Sequence, residues 1–440
     1  MLGRFLPQLG WCLGVFKNPG RVLPSRLIFL TCLMACFLGM ASHPSLGEEI
    51  LPLPTKLETG GRGVKYGTIK LFPRVSTGIL YDSNIFLREV DVVSDIVYVA
   101  STGIVATKVR PRTTSTFAID SYFAEYQDNK DDSFADVAGL YGLEHSITPW
   151  LEISAETGIA RVHERRGLRD DDTPDLAAEP LVEVIYNAGS ILDFTFQRSE
   201  LQLGANYTKT DYSDVQLIDG TTADQDFRDE HRFGLDSNFQ YDVSRYVSLI
   251  NTARIEETEV RGGDGGPDRD AMRYTVRKGA KLNLSPKFSA QFTAGFLLED
   301  FEDPTLGTSS WLPTYEGIVI WNPNRLLNIR LGVLIGEAGV DFEEGFGSSV
   351  FNEFSGQIIY TPNRRLTLTF DADYREETED DPGLGDGRNF DTILLNGAVE
   401  YRTSRNFALR LEHRHEERIS SDVLDSFKTD IVQFSLVAER

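Results

Sequence analysis

The sequence is short of cysteine, histidine and positive charge. Its 440 residues include three cysteines, six histidines and 44 basic residues against 67 acidic ones. All three cysteines, Cys12, Cys32 and Cys36, lie near the start, so a chain without that segment can neither form nor mispair a disulfide in an oxidising compartment. The formal net charge of -23 argues against nucleic acid as a partner, because phosphate backbones bind surfaces rich in Lys and Arg.

The sequence contains only one long apolar run, at residues 27–41, which reads LIFLTCLMACFLGMA. Four basic residues precede it: Arg4, Lys17, Arg21 and Arg26. This layout predicts a secretory signal peptide over residues 1–41, cleaved after Ala41 or as late as Gly47. A retained anchor helix and a lipoprotein at Cys36 are the alternatives, but the run is short for a membrane span and continues past the cysteine. Losing four basic residues takes the net charge from -23 to -27.

The rest of the chain divides into two parts. Residues 48–69 contain Pro and Gly with little pattern, and they predict a short periplasmic lead-in. From residue 70 to residue 440, strand-like segments follow one another, and no run is long and apolar enough for a transmembrane helix. We therefore expect a single all-β domain over residues 70–440.

A hairpin unit recurs along this domain. The segment Glu316–Gly336, EGIVIWNPNRLLNIRLGVLIG, has two apolar-rich runs on either side of the polar turn Asn322–Arg325. An alternating run that follows a tight turn predicts a strand-turn-strand unit. The same design, an aromatic residue, turn formers and an alternating strand, recurs at Tyr241–Ile250, Tyr360–Phe370 and Tyr401–Leu411. Counting such runs predicts about 18 strands, within a range of 16–18.

The links between the predicted strands alternate in length. Short links such as Ser285–Lys287 and Asn322–Arg325 are followed by long, acidic, Gly-containing ones such as 164–180, 213–230 and 376–389. The spacing also fits propeller blades, but a propeller has no reason to sort its links into short and long in turn. An outer-membrane barrel does, because short turns face the periplasm and long loops face outward.

The side chains along each strand alternate between apolar and polar. In a soluble sandwich the apolar set would face a core, whereas in a membrane barrel it faces lipid and the polar set faces the lumen. The barrel is favoured because aromatic residues sit beside the short turns, where an interfacial girdle is expected, and because closure removes sheet edges. The girdle residues are Trp150, Tyr241, Tyr246, Trp321, Tyr360 and Tyr401. We predict a closed antiparallel transmembrane β-barrel of the bacterial outer membrane, with short periplasmic turns and long acidic extracellular loops.

The polar set is then predicted to line the lumen, where charged side chains cost far less than they would facing lipid. The candidate lumen-lining residues are Asp120, Glu152, Glu156, Asn206, Asn238, Arg277, Lys281, Arg330, Asp371, Asp373, Arg375, Arg410, Glu412 and Arg414. They could pass hydrated solutes or sugar chains by exchanging hydrogen bonds. They could equally pair across the lumen and fill it.

Catalytic and metal-binding patterns are scarce. His413 and His415 share one strand face without further ligands, which favours an ordinary strand surface over a metal site. The acidic groups Asp170–Asp172 and Glu379–Asp381 lack the pattern of a calcium loop and are better interpreted as solvated loop tips that shed contacts or bridge to lipopolysaccharide. No nucleophile elbow, phosphate loop or zinc motif is present, and His163 is the one place to look for a catalytic group. We expect no cofactor, no metal and no enzymatic activity.

Several segments carry a family resemblance. They are LFPRVSTGILYDSNIF at Leu71–Phe86, AEYQDN at Ala124–Asn129, VHERRGLRDDD at Val162–Asp172, AAEP at Ala177–Pro180 and TKTDYSDV at Thr208–Val215. The sequence resembles the outer membrane β-barrel proteins named putative β-barrel porins, type 2. The resemblance implies a barrel associated with exopolysaccharide or capsule export clusters, with a periplasmic polysaccharide export protein and polysaccharide chains as partners. Outer-membrane lipid, lipopolysaccharide and the barrel-insertion machinery are further expected partners.

Three functions remain open at this point. The first is a conduit or accessory for exopolysaccharide export, the second a general or substrate-selective diffusion porin, and the third a structural or adhesive barrel that works through its acidic loops. The solute, the oligomeric state and whether the lumen is plugged are not predicted by the sequence.

Overall fold

The computed structural model describes residues 63–166, 177–260, 269–303, 310–340, 348–379, 389–421 and 425–440. The signal peptide, its cleavage site and most of the lead-in lie outside these residues and stay predictions. Within the described residues, the chain forms eighteen long strands of 13–16 residues. No helix among the described residues is long and apolar enough to cross a membrane.

The eighteen strands follow one another along the chain with no other long element between them. They are β1 (Ile69–Asp82), β2 (Asp95–Val109), β3 (Thr113–Tyr126), β4 (Phe134–Thr148), β5 (Leu151–His163), β6 (Val182–Thr195), β7 (Ser199–Tyr212), β8 (Glu230–Asp242), β9 (Val247–Val260), β10 (Ala271–Ser285), β11 (Phe288–Phe301), β12 (Ser310–Asn324), β13 (Leu327–Val340), β14 (Ser348–Asn363), β15 (Leu366–Glu379), β16 (Asn389–Arg402), β17 (Phe407–Ser420) and β18 (Phe427–Glu439).

Each strand pairs antiparallel with the next, and the last strand pairs with the first. Residues Arg74–Asp82 of β1 lie opposite Ile431–Glu439 of β18, which closes the sheet into a barrel. A three-residue strand, Val64–Tyr66, folds back on the start of β1. The prediction of a closed antiparallel barrel with about 18 strands is confirmed.

The connections alternate in length as the sequence predicts. The eight links at one end, which we call the short-turn end, contain two to four residues, whereas the nine at the other, the long-loop end, contain six to eighteen. The tight links follow from their turn residues, because Asn and Ser side chains mimic a backbone carbonyl. Asn324 Oδ1 accepts a hydrogen bond from the Leu326 amide at 2.8 Å, and Ser404 Oγ accepts one from the Phe407 amide at 3.2 Å.

The two faces of the sheet differ in chemistry because successive side chains point to opposite sides of a strand. Large apolar side chains such as Ile79, Phe296 and Leu331 are about half exposed on the outer face. Such an exposed apolar surface suits lipid tails and would be a liability in water. The opposite positions carry most of the charged residues and face the interior of the closed sheet.

The interior is not uniform around the barrel. On the arc formed by β18 and β1–β5, which we call the filled arc, inward apolar side chains pack together. Leu80 is 1% exposed and Val97 0% exposed, and they belong to one cluster with Val99, Tyr122, Ala124 and Ile431. A second cluster on the same arc joins Phe72, Val105 and Ala118 nearer the short-turn end. Burial of this apolar surface stabilises the filled arc in the manner of a soluble core.

Candidate functional site in the barrel lumen

The structure places all the predicted lumen residues at inward positions on their strands. Asp120 lies on β3, Glu152 and Glu156 on β5, and Arg330 on β13. The others are Asn206 on β7, Asn238 on β8, Arg277 and Lys281 on β10, Asp371, Asp373 and Arg375 on β15, and Arg410, Glu412 and Arg414 on β17. They are spread around the wall, so they do not form one compact site.

The inward face of β8–β12, which we call the charged arc, carries a ladder of arginine and glutamate. Arg273 Nη2 donates to Glu299 Oε1 at 2.6 Å, and its Nη1 lies 3.6 Å from Glu256 Oε1. Arg277 Nη1 donates to Glu316 Oε2 at 2.6 Å. Arg232 pairs with Glu230, and Arg254 pairs with Glu256. Each of these four arginines therefore has a carboxylate partner, which leaves this wall polar but with little unbalanced charge.

Glycines on β5–β8 let neighbouring polar side chains lie flat against the wall. A Cβ at Gly204 would fall 2.4 Å from a carboxylate oxygen of Asp236, and one at Gly234 would fall 2.6 Å from the Asn206 amide oxygen. Any larger residue at these two positions would push the polar group toward the middle of the lumen. The glycines therefore preserve lumen width on this side.

On β13–β17, inward polar groups toward the short-turn end are more exposed than those of the charged arc. Arg330 is exposed and makes no ion pair with any residue in the described part of the chain. Arg410 pairs with Glu412 at 2.8 Å, with the Arg410 side chain 38% exposed. Gln357 donates to Asp371 at 2.7 Å. Water-accessible polar groups therefore line this part of the short-turn mouth.

At the long-loop end, the last residue of β5 and the three residues after it bind four different parts of the barrel. We call residues 163–166 the strap. His163 Nδ1 lies 2.8 Å from Asp136 Oδ2 on β4. Arg228 Nη2, between β7 and β8, donates to Glu164 Oε1 at 2.8 Å. Arg228 is completely buried and Glu164 is 3% exposed.

The two arginines of the strap reach other elements. Arg165 Nη1 donates to Glu416 Oε2 on β17 at 3.2 Å, and its Nη2 lies 3.7 Å from Asp82 Oδ2 at the end of β1. Arg166 Nε lies 2.7 Å from Asp132 Oδ1, in the link between β3 and β4. Burial lowers the pKa of Arg165, and the carboxylates of Glu416 and Asp82 oppose that shift.

The strap was not predicted as a unit. The sequence pointed only to His163, among Glu164, Asp170 and Asp171, as a possible catalytic group. In the structure His163 is held by Asp136 and stacks on the ring of Phe134. This arrangement suits a structural pair that fixes the imidazole. Four consecutive polar residues at the end of an alternating strand are the signal that could have drawn attention to the strap.

The outer surface includes the predicted aromatic girdle. All six residues are exposed and lie at or beside the short-turn links, namely Trp150, Tyr241, Tyr246, Trp321, Tyr360 and Tyr401. His413 and His415 also lie on this outer face, and both imidazoles lie close to one oxygen of Asp430 on β18, at 3.1 and 3.0 Å. The sequence indicated neither this partner nor its shared use.

The acidic loop groups predicted to be solvated tips, Asp170–Asp172 and Glu379–Asp381, lie outside the residues whose side chains are described. Within the described part, one group of three carboxylates, Asp214, Asp224 and Asp226, has oxygens within 4.8 Å of one another. Exposed acidic groups of this kind are common without an ion, and nothing else in their surroundings indicates a ligand.

Several solved structures are similar to this chain at low sequence identity. The siderophore receptor PirA from Pseudomonas aeruginosa is 10% identical, with 86% of this chain and 81% of that chain covered and a TM-score of 0.45. OccK1 (OpdK) from Pseudomonas aeruginosa is 11% identical, with 84% and 98% covered and a TM-score of 0.44. OccAB3 from Acinetobacter baumannii is 10% identical, with 84% and 99% covered and a TM-score of 0.46. No curated protein matches the sequence.

The sequence match to a protein family is more extensive. The model of the family described as Putative beta-barrel porin 2 matches residues 59–440, a range that includes all eighteen strands of the barrel. A lipid-suited outer face, a polar interior and a closed sheet are the features expected of a porin-like barrel of the outer membrane. This chain therefore belongs to the β-barrel porin family described as Putative beta-barrel porin 2.

Proposed function

We propose that this barrel is a conduit, or an accessory to one, through which an exopolysaccharide or capsule chain crosses the outer membrane. The observation that supports this function best is the neutralised charge of the lumen wall. Arg273 with Glu299 and Arg277 with Glu316 present many hydrogen-bonding groups but little net charge. A hydroxyl-rich sugar chain can exchange hydrogen bonds with such a wall, whereas a strongly charged wall would favour ions of one sign.

The flattened side chains on β5–β8 support the same proposal. A polymer needs a continuous path along the lumen wall with no large side chain projecting into it; we call this path the lane. Asn206 lies over Gly234 and Asp236 lies over Gly204, so both offer polar atoms without obstructing the lane. A periplasmic polysaccharide export protein would be the partner at the short-turn end, where the exposed Arg330 and the Arg410–Glu412 pair are accessible.

Deletion of the gene, with surface polysaccharide measured in the deletion strain and in a complemented strain, tests this function. We expect surface polysaccharide to fall on deletion and to return on complementation. Unchanged polysaccharide in the deletion strain would refute an obligatory role in export. A Gly234→Phe variant should lower export in the complemented strain, because the ring would displace Asn206 into the lane. Gly397→Phe is the matched control, since Gly397 lies on the outer face with open space around it.

A diffusion porin is the second candidate, and the exposed Arg330 favours it. A cation without an ion-pair partner at a pore mouth attracts small anions without any need for a polymer. Planar-bilayer recordings distinguish the two functions. A steady open conductance with the pure protein supports the diffusion porin, whereas a barrel that conducts only with a periplasmic partner supports the export conduit.

A further inference from the structure

The strap joins parts of the barrel that are far apart along the wall. Between β5 and β17 lie β4, β3, β2, β1 and β18, so their separation along the sheet is six strand spacings, or roughly 29 Å. Arg165 is only two residues beyond the end of β5, and two extended residues span at most about 7 Å. Its guanidinium nevertheless bonds to Glu416 on β17 at 3.2 Å. This contact is possible only across the interior of the barrel.

The partners of the strap are themselves buried. Glu416 is 0% exposed and also accepts a hydrogen bond from Arg414 at 3.3 Å. Asp82 is held by Thr429 Oγ1 at 2.7 Å and by the amide of Asn84 at 2.8 Å. Arg165 therefore binds a rigid network at the junction of β1, β17 and β18. A flexible contact could swing aside during transport, but a network of this kind is expected to stay in place.

The strap is also held from the side of the long loops. Arg166 Nη1 donates to the carbonyl of Ala177 at 2.7 Å, and its guanidinium lies 5.5 Å from the centre of the Phe86 ring. Glu164 is held by Arg228. The side chains of the strap are thus held by elements on both sides of it, and Val162, the residue before the strap, packs against the apolar cluster of Leu80 and Val97.

We propose that the strap is the constriction that limits the size of what passes the long-loop end, with Arg165 as the residue that sets its width. The proposal rests on the conduit function only in assuming that something passes through the lumen. On this geometry the filled arc and the strap together occupy one side, and the passage lies between the strap and the charged arc. Cargo would then meet the arginine and glutamate ladder on one side and the strap on the other.

The experiment is single-channel recording of the full barrel in planar bilayers, with neutral polyethylene glycols of graded size added to measure the exclusion limit. Arg165→Ala removes the contact that crosses the lumen. If the pure wild type conducts, as a diffusion porin would, we expect the conductance of this variant to rise about twofold and its exclusion limit to shift to larger polymers, since both follow pore width. If the pure wild type is closed without its partner, as an export conduit would be, we expect the variant to conduct. Arg166→Ala loosens only the loop side, so we expect a smaller rise in the same direction.

Arg402→Ala is the matched control. Arg402 also has two carboxylate partners, Glu439 at 2.6 Å and Glu400 at 3.0 Å. It lies at the short-turn end, with Glu400 on its own strand and Glu439 on β18, so neither contact crosses the lumen. We expect its conductance and exclusion limit to equal those of the wild type. Folding of each variant is checked by heat-modifiable migration on gels; if Arg165→Ala does not fold, Arg166→Ala decides.

Equal conductance and equal exclusion limits in wild type and in the folded strap variants would overturn the proposal, and so would a complete lack of conductance in all of them. A closed wild type with an open Arg165→Ala channel would support it. Pore width does not depend on the cargo. A deletion strain with normal polysaccharide would therefore refute an obligatory role in export and leave the constriction standing. Reduced polysaccharide together with unchanged conductance in the strap variants would support export and refute the constriction.

Discussion

The filled arc and the charged arc are two parts of one sheet with opposite interiors. On the filled arc, Leu80 and Val97 face inward into an apolar cluster. On the charged arc, the equivalent inward positions carry Arg273 and Glu299. The same alternation that builds both walls therefore does not decide their chemistry. The difference gives one side of the barrel a packed apolar interior and the other an ion-paired polar interior.

The largest effect is expected from introducing a charge into the filled arc. Val97→Asp would bury a carboxylate without a cation, and we expect a loss of more than about 4 kcal/mol of stability and failure to form the heat-modifiable barrel. Thr252→Asp on the charged arc is the matched control, because its register partner is Arg277. We expect that variant to fold. If both fold equally well, the two arcs do not differ in polarity as described.

A smaller effect is expected from breaking the ladder of the charged arc. Glu256→Gln removes the carboxylate near both Arg254 and Arg273. Arg273 keeps Glu299, but Arg254 loses its ion-pair partner, and we expect a cost of roughly 3 kcal/mol in urea unfolding. Glu412→Gln breaks the partly exposed pair with Arg410 and should cost less than about 1 kcal/mol. Similar costs for the two variants would show that water reaches the ladder as freely as it reaches the short-turn mouth.

The smallest effect is expected on the ion selectivity of the pore, with no change in the stability of the barrel. Arg330→Glu reverses the one exposed lumen charge that has no ion-pair partner in the described part of the chain. We expect the ratio of cation to anion permeability to rise about threefold in reversal-potential measurements at low salt. Arg364→Glu makes the same charge change at the same end, but in the link between β14 and β15, so the ratio should stay unchanged. An equal shift in both variants would assign the effect to the overall charge of the short-turn end.

Much of the fold could be predicted because it depends on local pattern. Alternation with a period of two sets the strands and their faces, and Asn324 and Ser404 form the tight links through side-chain contacts with the next few residues. These signals act within a few residues of each other. The strand count and the alternation of short and long connections follow from them without knowledge of distant contacts.

The strap could not be predicted in the same way. Glu164 and Arg228 are 64 residues apart in the chain, and Arg165 and Glu416 are 251 apart. Such pairs are set by the closure of the barrel and by which strands come to lie across the lumen. The same is true of His413, His415 and Asp430, because the strand register decides which carboxylate the two imidazoles share. Sequence identified one member of each contact at most.

The sequence of the filled arc contains a weaker signal that could have predicted its packed interior. In β2 the apolar residues occupy both sets of positions, with Val97 and Val99 facing inward and Ile96 and Tyr98 facing outward. A strand that is apolar on both faces is typical of one buried on both sides. On this strand the pattern predicted the exposed apolar outer face but did not distinguish an open lumen from a packed one.

The composition of the filled arc has a consequence for how the barrel assembles. Its main cluster takes residues from the first strands but also Ile431 from the last strand, and Thr429 of β18 supplies the hydroxyl that binds Asp82. Until β18 docks, the apolar interior of β1–β5 is an incomplete core. We therefore expect ring closure and core completion to be a single late step in assembly, because contacts that join the two ends of a chain form slowly. Any factor that shelters the nascent sheet must hold the first strands until the last one arrives.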